Sequence, residues 1–294
     1  MSKKVLVLGK DGQLGRSLKV INSHSTKLDF VFIGRSELDL TGLDELGLSL
    51  VDKFSDIDAI VNCAAYTDVD LAENEPDIAN IINHRAVEEL ALGAKKLGIP
   101  LIHISTDYVF NGHAFRPYQE SDQTDPQNVY GESKLAGELS IVNSGCAGVI
   151  IRTSWVYSEF GKNFVKTMIA LSRDRAQLNV VSDQIGSPTY ARDLAEAVVS
   201  ILSSVSFWNN VGEGATVYHY SNEGVASWYD FATKIMTINN SKCRIYPIKT
   251  EQFPTPSKRP FYSVFDKTKI KQDFGIEVGH WEDSLKECLK RLTD

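Results

Sequence analysis

Short apolar runs alternate with amphipathic stretches along the first half of the chain. The apolar runs end at Gly, Asp, Asn or Ser and are nearly continuous, which is typical of parallel strands covered on both faces. They predict strands at Val5–Leu8, Phe30–Ile33, Ala59–Asn62, Leu101–Ile104 and Val149–Ile151. The intervening stretches predict helices at Gln13–Ile21, Ile78–Leu97 and Ser133–Val142. This alternation predicts an α/β, Rossmann-type fold with a doubly wound parallel sheet.

The pattern changes after Arg152. Further helices are predicted at 161–173, 190–203, 227–237 and 281–292, with one more strand at Val217–Tyr220 and a proline-marked irregular connection between Pro247 and Tyr262. We therefore expect an N-terminal domain at 1–154, to which parts of 190–225 return. Residues 155–189 and 226–294 should form a smaller C-terminal lobe, partly interleaved with that domain.

Composition excludes several classes of partner. The chain has 294 residues and a net charge of −7, which argues against nucleic acid or an anionic membrane as a partner. Its four cysteines form no C-x-x-C pair and match no zinc spacing, so we interpret them as inert thiols in a reducing compartment. No leader-like segment follows Met1, and no apolar run approaches the ~18 residues of a membrane span. A cytoplasmic protein fits these features.

A glycine-rich turn follows the first predicted strand and opens the first predicted helix. Its spacing, G-x-x-G-x-x-G, is related to the dinucleotide fingerprint, in which glycines let the backbone approach a pyrophosphate at a helix N-terminus. A tight turn without a ligand is the alternative reading of such a pattern in isolation. The strand and helix around it favour a cofactor site, so the N-terminal domain is predicted to bind a dinucleotide. The predicted residues are Gly9, Asp11, Gly12, Gln13, Leu14 and Gly15.

The residues after the second predicted strand bear on which dinucleotide binds. NAD enzymes often place an acid there to hold the ribose hydroxyls, whereas this chain has Arg35 between Gly34 and Ser36. Arg35 could face a 2′-phosphate, so we predict that NADPH is preferred or at least well used, with NADH as the other candidate. A solvated surface arginine is the alternative.

Three residues downstream suggest hydride-transfer chemistry. Thr106 follows the fourth predicted strand, and Tyr130 precedes Lys134 by four residues, so both side chains share one helix face. A free tyrosine titrates near ~10, so a proton donor at neutral pH needs its pKa lowered, and a nearby ammonium and the positive ring of an oxidised nicotinamide are the charges that could do this. We hypothesise that Tyr130 donates a proton to a ketone oxygen, Lys134 lowers the pKa of Tyr130 and holds the nicotinamide ribose, and a hydroxyl at Ser105 or Thr106 fixes the oxygen.

These residues resemble the extended short-chain dehydrogenase/reductases, and more narrowly the dTDP-4-dehydrorhamnose reductase family. The resemblance runs through nearly the whole length, and the run from Arg152 to Tyr157 is specific. Its other segments are Gly9–Gly15, Val61–Thr67, Ser105–Phe110, Asn128–Gly131, Asn163–Val165, Asp183–Thr189 and Arg259–Pro260. The family's activity would be reduction of a nucleotide-sugar 4-ketone with NADPH or NADH.

The resemblance also implies roles for single residues. It makes Thr106, rather than Ser105, the catalytic hydroxyl. Residues implied at the cofactor are Asp39, Leu40, Ala64, Ala65 and Tyr66. Residues implied at the nucleotide-sugar are Asp107, Val109, Phe110, Trp155, Gln184 and Arg259. Trp155 could equally be a core aromatic, whereas an arginine fork suits a diphosphate.

Two departures from the family pattern limit what can be carried over. Some members hold Mg²⁺ between subunits with carboxylates, and the corresponding positions here are Ser17 and Arg192. We therefore expect no metal there, and the associated homodimer is in doubt. Sister enzymes that dehydrate the sugar have an Asp-Glu pair after the threonine; here Asp107 precedes Tyr108, which disfavours dehydration.

Other functions stay open at this stage. A reductase or an epimerase could act on another nucleotide-sugar ketone. A non-catalytic regulatory protein is the alternative from another class, because the β subunit of methionine adenosyltransferase resembles the same reductases. The intact set of Thr106, Tyr130 and Lys134 favours an enzyme.

Overall fold

The computed structural model describes residues 2–22, 28–42, 53–209 and 213–293. Its strands are β1 Lys3–Leu8, β2 Leu28–Ile33, β3 Ala59–Asn62, β4 Leu101–Thr106, β5 Gly148–Thr153, β6 Val156–Tyr157, β7 Gln177–Val181, β8 Ile185–Gly186, β9 Thr189–Tyr190, β10 Ala215–His219, β11 Ala226–Ser227, β12 Arg244–Ile248 and β13 Tyr262–Ser263.

The helices alternate with the long strands in the first half of the chain and dominate the second half. They are α1 Gln13–Asn22, α2 Val69–Ala72, α3 Pro76–Asn80, α4 Ala86–Leu97, α5 Val129–Ser144, α6 Phe164–Asp174, α7 Ala191–Ser203, α8 Val205–Asn209, α9 Trp228–Ile238, α10 Thr268–Phe274 and α11 Trp281–Thr293. Among the helices described here, none combines the length and apolar composition that crossing a bilayer requires.

A parallel six-stranded sheet carries the first half of the chain. Its order is β10-β5-β4-β3-β1-β2, and every neighbouring pair is parallel. The chain leaves β1 for β2 on one side and then continues through β3, β4 and β5 on the other, so the strand order reverses between β1 and β3. In open α/β sheets ligands bind outside the carboxyl ends of the strands at such a switch point.

Alternate residues of the strands build a separate core on each face of this sheet. Val5 and Val7 of β1 pack toward α1 and α7, in a cluster with Leu18 and Val198. Leu6, between them, packs on the opposite face in the cluster that contains α4. Burial on both faces explains the near-continuous apolar runs in the sequence. The predicted α/β, doubly wound fold is confirmed.

The long helix predicted at Ile78–Leu97 is interrupted. The structure has α3, then a π-helical turn at Ile81–Arg85, then α4. The π turn presents Asn83, whose side chain accepts from the Tyr66 N–H and donates to the Tyr66 carbonyl and the Ser133 hydroxyl. The prediction of one uninterrupted helix was therefore wrong. The π turn places the Asn83 side chain where it holds the loop at Tyr66 and the α5 residue Ser133.

The C-terminal half builds a smaller lobe of short strands and helices. It contains a parallel pair β7–β12, a three-stranded group β11-β8-β13 and a pair β6–β9, around a core that includes α6, α9 and α11. β10 joins the large sheet, and α7 packs against α1. Ile270 and Ile276 also pack in the core of the large sheet, so residues 268–276, expected in the second lobe, return to the first.

Candidate active site

The glycine turn brings β1, α1 and the end of β3 into close backbone contact. Gly9 has φ +83°, and a Cβ placed on it would lie 2.8 Å from the Ala64 nitrogen. A Cβ on Gly15 would overlap the Gly9 carbonyl oxygen. Gly12 is different, because the nearest atom to its Cβ would be 3.4 Å away. Gly9 and Gly15 are thus required by the protein's own packing, whereas Gly12 leaves its outer side open.

A cavity of about 510 Å³ opens beside this turn, at the carboxyl ends of β1 and β3. This is the switch point of the sheet, where a dinucleotide is expected. Nine of the predicted cofactor residues line the cavity: Gly9, Asp11, Gly12, Arg35, Asp39, Leu40, Ala64, Ala65 and Tyr66. The residues fit a dinucleotide, because the glycines of the turn expose their backbone to the cavity and the cavity walls combine polar and apolar groups.

The structure does not bring Gln13 and Leu14 to this cavity. The Gln13 side chain accepts hydrogen bonds from Ser158 and Asn163 and faces the Val156 carbonyl at 3.3 Å, so it ties the turn to the second lobe. Leu14 packs in the core beneath the sheet. The side chains of Gln13 and Leu14 thus have structural partners, and the part of these two residues in cofactor binding stays a prediction.

Arg35 stands at the rim with its side chain 79% exposed. Its Nε lies 3.5 Å from the Asp39 carboxylate, and Asp39 also accepts from the Thr41 N–H and hydroxyl. Hydrogen bonds from Thr41 lower the pKa of Asp39, so its carboxylate is charged at neutral pH. The rim thus offers a cation for a phosphate and an anion for ribose hydroxyls, which suits both nicotinamide dinucleotides.

Thr106, Tyr130 and Lys134 converge where β4 meets α5. Asn128 caps α5 by accepting from the Gly131 N–H, and Tyr130 follows in the first turn. The Thr106 hydroxyl donates to Asp107 across 3.0 Å and accepts from the Tyr108 N–H at 3.2 Å, and it is close enough to the Tyr130 phenol to influence its pKa. Tyr130 packs with Tyr66 of the cofactor cavity and with Tyr108, whose ring meets it edge-on at a centroid distance of 5.5 Å.

The expected acidification of Tyr130 is wrong for the protein side chains by themselves. Burial raises the pKa of Tyr130, and the hydrogen bond with Thr106 is the influence that opposes it. The Lys134 Nζ instead donates to the Ile104 carbonyl at 2.7 Å and lies 3.2 Å from His103 Nε2. Burial lowers the pKa of Lys134 to about 8, against the opposing charge of Glu138. Lysine and tyrosine share a helix face, but the lysine is held by β4.

Asp107 is an unusual carboxylate for this position. Burial raises its pKa to about 7, and hydrogen bonds with Thr106 and Ser263 only partly oppose that rise. Its Oδ2 is buried and has no hydrogen-bond partner within the described part of the chain. The group is therefore able to carry a proton near neutral pH.

A larger cavity of about 750 Å³ lies on the side of the second lobe. Gln184 and Arg259 line it, as predicted, together with Asp70, Tyr108 and Trp228. The Arg259 guanidinium donates to Asp70 at 2.7 Å and to the Tyr108 hydroxyl at 3.0 Å. Gln184 donates to Thr250 at 3.1 Å. Arg259 is thus a preorganised cation whose present partner is a carboxylate.

Trp155 does not line this cavity but supports a residue that does. Its backbone has φ +49°, and its ring stacks on Trp228 at 3.6 Å with an interplanar angle of 9°. Trp228 forms part of the wall of the larger cavity. Val109 is completely buried in a small core cluster with Phe110, so neither is a direct wall residue of the large cavity.

The positions considered for a metal hold no cluster of ligands. Ser17 donates to the Gln13 carbonyl, and Arg192 pairs with Glu196. Across the four described ranges, no group of three or more His, Cys, Asp or Glu residues is arranged to hold a metal ion.

Comparison with known proteins gives the family. A model described as the RmlD substrate binding domain matches residues 3–294. The chain belongs to this family. It is 39% identical to a dTDP-4-dehydrorhamnose reductase of Aggregatibacter actinomycetemcomitans, over 96% of this chain and 97% of that protein. It is 40% identical to the spore coat polysaccharide biosynthesis protein SpsK of Bacillus subtilis, over 99% and 98%.

Solved structures of the RmlD family match the whole fold. A dTDP-4-dehydrorhamnose reductase from Clostridium acetobutylicum superposes with a TM-score of 0.91 at 35% identity, covering 99% of this chain and all of that one. The enzyme from Bacillus anthracis, solved in complex with NADP, gives 0.90 at the same identity and coverage. The predicted family resemblance is confirmed.

In this RmlD-family chain several site residues had no signal that sequence reasoning could use. Asp70 binds Arg259 from 189 positions away. Trp228 reads as an ordinary core aromatic at the start of a helix. Asn62 is the exception, because it ends β3, where a polar residue could have been suspected of a role, whereas His103 lies within β4.

Proposed function

We propose that the chain is an NADPH-dependent dTDP-4-dehydrorhamnose reductase that reduces the 4-keto group of dTDP-4-dehydro-L-rhamnose to give dTDP-L-rhamnose. NADH is the second cofactor that the site admits. The observation that carries the proposal is the position of Tyr130, which lies near the Thr106 hydroxyl and packs between Tyr66 of one cavity and Tyr108 of the other. The full-length match to reductases of this name supports it.

The dinucleotide cavity supplies the cofactor site. Gly9, Gly12 and the start of α1 would hold the pyrophosphate, with Arg35 and Asp39 at the adenosine ribose. Ala64, Ala65 and Tyr66 would line the path toward the catalytic residues. When bound, the reduced nicotinamide supplies the hydride. The remaining chemistry belongs to the protein.

The protein handles the oxygen that accepts the electron pair. The Thr106 hydroxyl would turn its hydrogen from Asp107 to the substrate carbonyl, and Tyr130 would donate its phenolic proton to that oxygen as it becomes an alcohol. The raised pKa of Tyr130 keeps the phenol protonated before the reaction. Lys134, on the same helix face, would support Tyr130 and hold the nicotinamide ribose. Asp107 holds the Thr106 hydroxyl in place.

Arg259 would recognise the diphosphate of the nucleotide-sugar. Its guanidinium now contacts Asp70 and Tyr108 at the wall of the larger cavity. A guanidinium can bind two diphosphate oxygens with parallel hydrogen bonds, and these would replace the carboxylate contact. Gln184 and the Trp228 ring, supported by Trp155, would contact the nucleotide-sugar. Asp107 would face the sugar near Thr106, whereas Val109 and Phe110 would shape the site from the core.

The enzyme would work in the cytoplasm, where reduced nicotinamide cofactors and nucleotide-sugars are made. The catalytic set of Thr106, Tyr130 and Lys134 is buried, and the proposed reaction requires neither nucleic acid nor membrane. A homodimer without a bridging metal stays part of the proposal.

The test is an absorbance assay of NADPH and NADH oxidation with dTDP-4-dehydro-L-rhamnose. We expect one cofactor consumed per ketone reduced and dTDP-L-rhamnose as the product, identified by mass spectrometry and NMR. Turnover without net oxidation would indicate an epimerase, and turnover only with another nucleotide-sugar would change the substrate. Cofactor binding without turnover of any ketone would favour the regulatory alternative. Each of these three results overturns the proposal.

A further inference from the structure

A chain of three buried polar side chains runs behind the catalytic tyrosine. Asn62 lies at the end of β3, His103 in β4 and Lys134 in α5, and each is at most 1% exposed. Asn62 Nδ2 is 3.1 Å from His103 Nδ1, and His103 Nε2 is 3.2 Å from the Lys134 Nζ. Buried polar groups of this kind are costly unless their donors and acceptors match.

The direction of every hydrogen in this chain follows from one backbone contact. The Ala64 N–H donates to Asn62 Oδ1 at 3.1 Å, which fixes the amide orientation and leaves the NH₂ group facing His103. His103 Nδ1 must therefore accept. Burial holds the pKa of His103 well below its usual value, so the ring is neutral whatever the charge of Lys134. A neutral ring that accepts at Nδ1 carries its hydrogen at Nε2.

The Nε2–H bond consequently points at Lys134. An ammonium has three donors and no acceptor, so it would set N–H against N–H at this contact. A neutral amine has one lone pair and two hydrogens. The lone pair accepts from His103, one hydrogen goes to the Ile104 carbonyl at 2.7 Å, and one remains for the active site. The surroundings therefore match the amine and not the ammonium.

We propose that His103, oriented by Asn62, is a positioning residue that makes Lys134 a proton-yielding group rather than a permanent cation. This inference deepens the proposed reduction and rests on it for its role in catalysis. Each turnover breaks the Tyr130 O–H bond as the product O–H bond forms. The phenol is then restored with a proton from Lys134, whose N–H bond breaks, and solvent later returns that proton to the amine.

Other charged groups around Lys134 act in both directions. On its own helix, Glu138 lies one turn further on and favours the ammonium, but it is bound by Arg152 of β5 at 2.7 Å and by Ser105 of β4. Tyr130 lies one turn before. Beyond Tyr130 are Asp107 and Tyr108, whose pKa values burial raises, so both tend toward their neutral forms. From β4, the Ile104 carbonyl and the His103 ring both contact the Nζ directly, and His103 is the titratable one of the two.

The first test measures Lys134 directly, in the full-length protein without substrate. Lysines labelled with ¹³C at Cε are titrated by NMR, and the Lys134 signal is assigned by its loss in Lys134→Gln. We expect the wild-type Lys134 to titrate at a pKa of about 8, below the other lysines. A Lys134 that titrates with the surface lysines would overturn the inference.

Asn62→Asp reverses the hydrogen-bond direction with almost no change in shape. One carboxylate oxygen still accepts from Ala64, but the other now accepts from His103 Nδ1, so the ring hydrogen moves there. Nε2 then offers a lone pair to the ammonium, and a negative charge is added nearby. We expect the pKa of Lys134 to rise by roughly 1–3 units. An unchanged pKa of Lys134 would contradict the proposed mechanism.

A second variant covers the case in which Asn62→Asp does not fold. In His103→Gln the flexible amide can turn its oxygen toward the ammonium, so the pKa of Lys134 should again rise. The matched control is His84→Gln, because His84 bonds Asn80 on the outer side of the π turn and does not touch the lysine. If the pKa of Lys134 rose in both His103→Gln and His84→Gln, or in neither, the result would contradict the proposed role of His103.

The catalytic consequence is read from pH profiles. If Lys134 supplies protons, activity falls as it loses its proton, so the alkaline limb of kcat should move upward in Asn62→Asp while the KM for NADPH is kept. A purely structural role would lower kcat equally at all pH values. If no ketone is reduced, the proposed function fails while the NMR titrations still decide the behaviour of Lys134.

Discussion

The Thr106 hydroxyl donates a hydrogen bond across 3.0 Å to the carboxylate of Asp107, the next residue in the chain. The same hydroxyl accepts from the Tyr108 N–H at 3.2 Å and lies near the Tyr130 phenol, so an acid, an alcohol and a phenol lie close together. Both Thr106 and Asp107 are buried. The position of the Thr106 hydroxyl therefore depends on the Asp107 carboxyl group, whose protonation state changes near neutral pH.

Asp107→Asn should remove a pH dependence of stability. Burial raises the pKa of Asp107 to about 7 in the folded protein, from 3.8. A raised pKa stabilises the fold fully below the unfolded value, and this contribution is lost as pH rises through the folded one. The free energy of unfolding of wild type minus that of the variant should thus fall by roughly 3–4 kcal/mol between pH 4 and pH 7. Urea unfolding across this range measures it.

Asp283→Asn is the control for this experiment. The hydrogen bond from Lys286 lowers the pKa of Asp283, so its difference from wild type should change with the opposite sign and at lower pH. A difference for Asp107→Asn that is the same at pH 4 and pH 7 would show that Asp107 ionises like an ordinary carboxylate.

Tyr130→Phe should abolish proton donation while leaving the cofactor site intact. The phenol lies near Thr106 and lines neither large cavity directly, so its loss should lower kcat by about 10²–10⁴-fold with little change in the Kd for NADPH. Stopped-flow turnover and fluorescence titration measure the two quantities. The control is Tyr218→Phe in the edge strand β10. It removes a hydroxyl that donates to Asp273, and it should retain nearly full activity. If Tyr130→Phe retained its activity, Tyr130 would not be the proton donor.

Arg35→Ala should change the preference between the two cofactors. A charge-assisted hydrogen bond to a phosphate contributes about 1.5–3 kcal/mol, so the KM for NADPH should rise by about ten-fold or more. The KM for NADH should stay the same or fall, because Asp39 is released from Arg35 to bind ribose hydroxyls. Arg85→Ala, which removes another exposed arginine paired with a nearby acid, is the control. An unchanged ratio of the two KM values would make Arg35 a bystander.

The large sheet and the glycine turn could be predicted because their signals are local. Buried parallel strands leave continuous apolar runs, and a close backbone approach such as that of Gly9 to Ala64 demands glycine. The strands of the second lobe had no such signal. β6, β8, β9, β11 and β13 are two residues each, too short for a period to show, and they form only through long-range pairing.

The site was predictable in its residues more than in its electrostatics. A spacing of four placed Tyr130 and Lys134 on one face, but it could not show that β4 holds the lysine through Ile104 and His103. Likewise, Asp70 and Arg259 meet only through folding, 189 residues apart in sequence. Burial decides the pKa of Tyr130, Lys134 and Asp107, and burial at single positions is a property of the packed structure.

Gly12→Ala and Gly15→Ala should separate cofactor binding from folding within one turn. A Cβ on Gly15 would overlap the Gly9 carbonyl, so Gly15→Ala should destabilise the fold by about 1–3 kcal/mol, because backbone atoms must move. On Gly12 the nearest atom is 3.4 Å away, so Gly12→Ala should keep its Tm. Its new methyl group faces the space proposed for the pyrophosphate, so the Kd for NADPH should rise at least ten-fold, about 1.4 kcal/mol. Thermal unfolding and NADPH titration measure both, and Gly279→Ala, with its nearest atom 3.8 Å away, should change neither. Unaltered NADPH affinity in a folded Gly12→Ala would mean that the pyrophosphate does not lie against this turn.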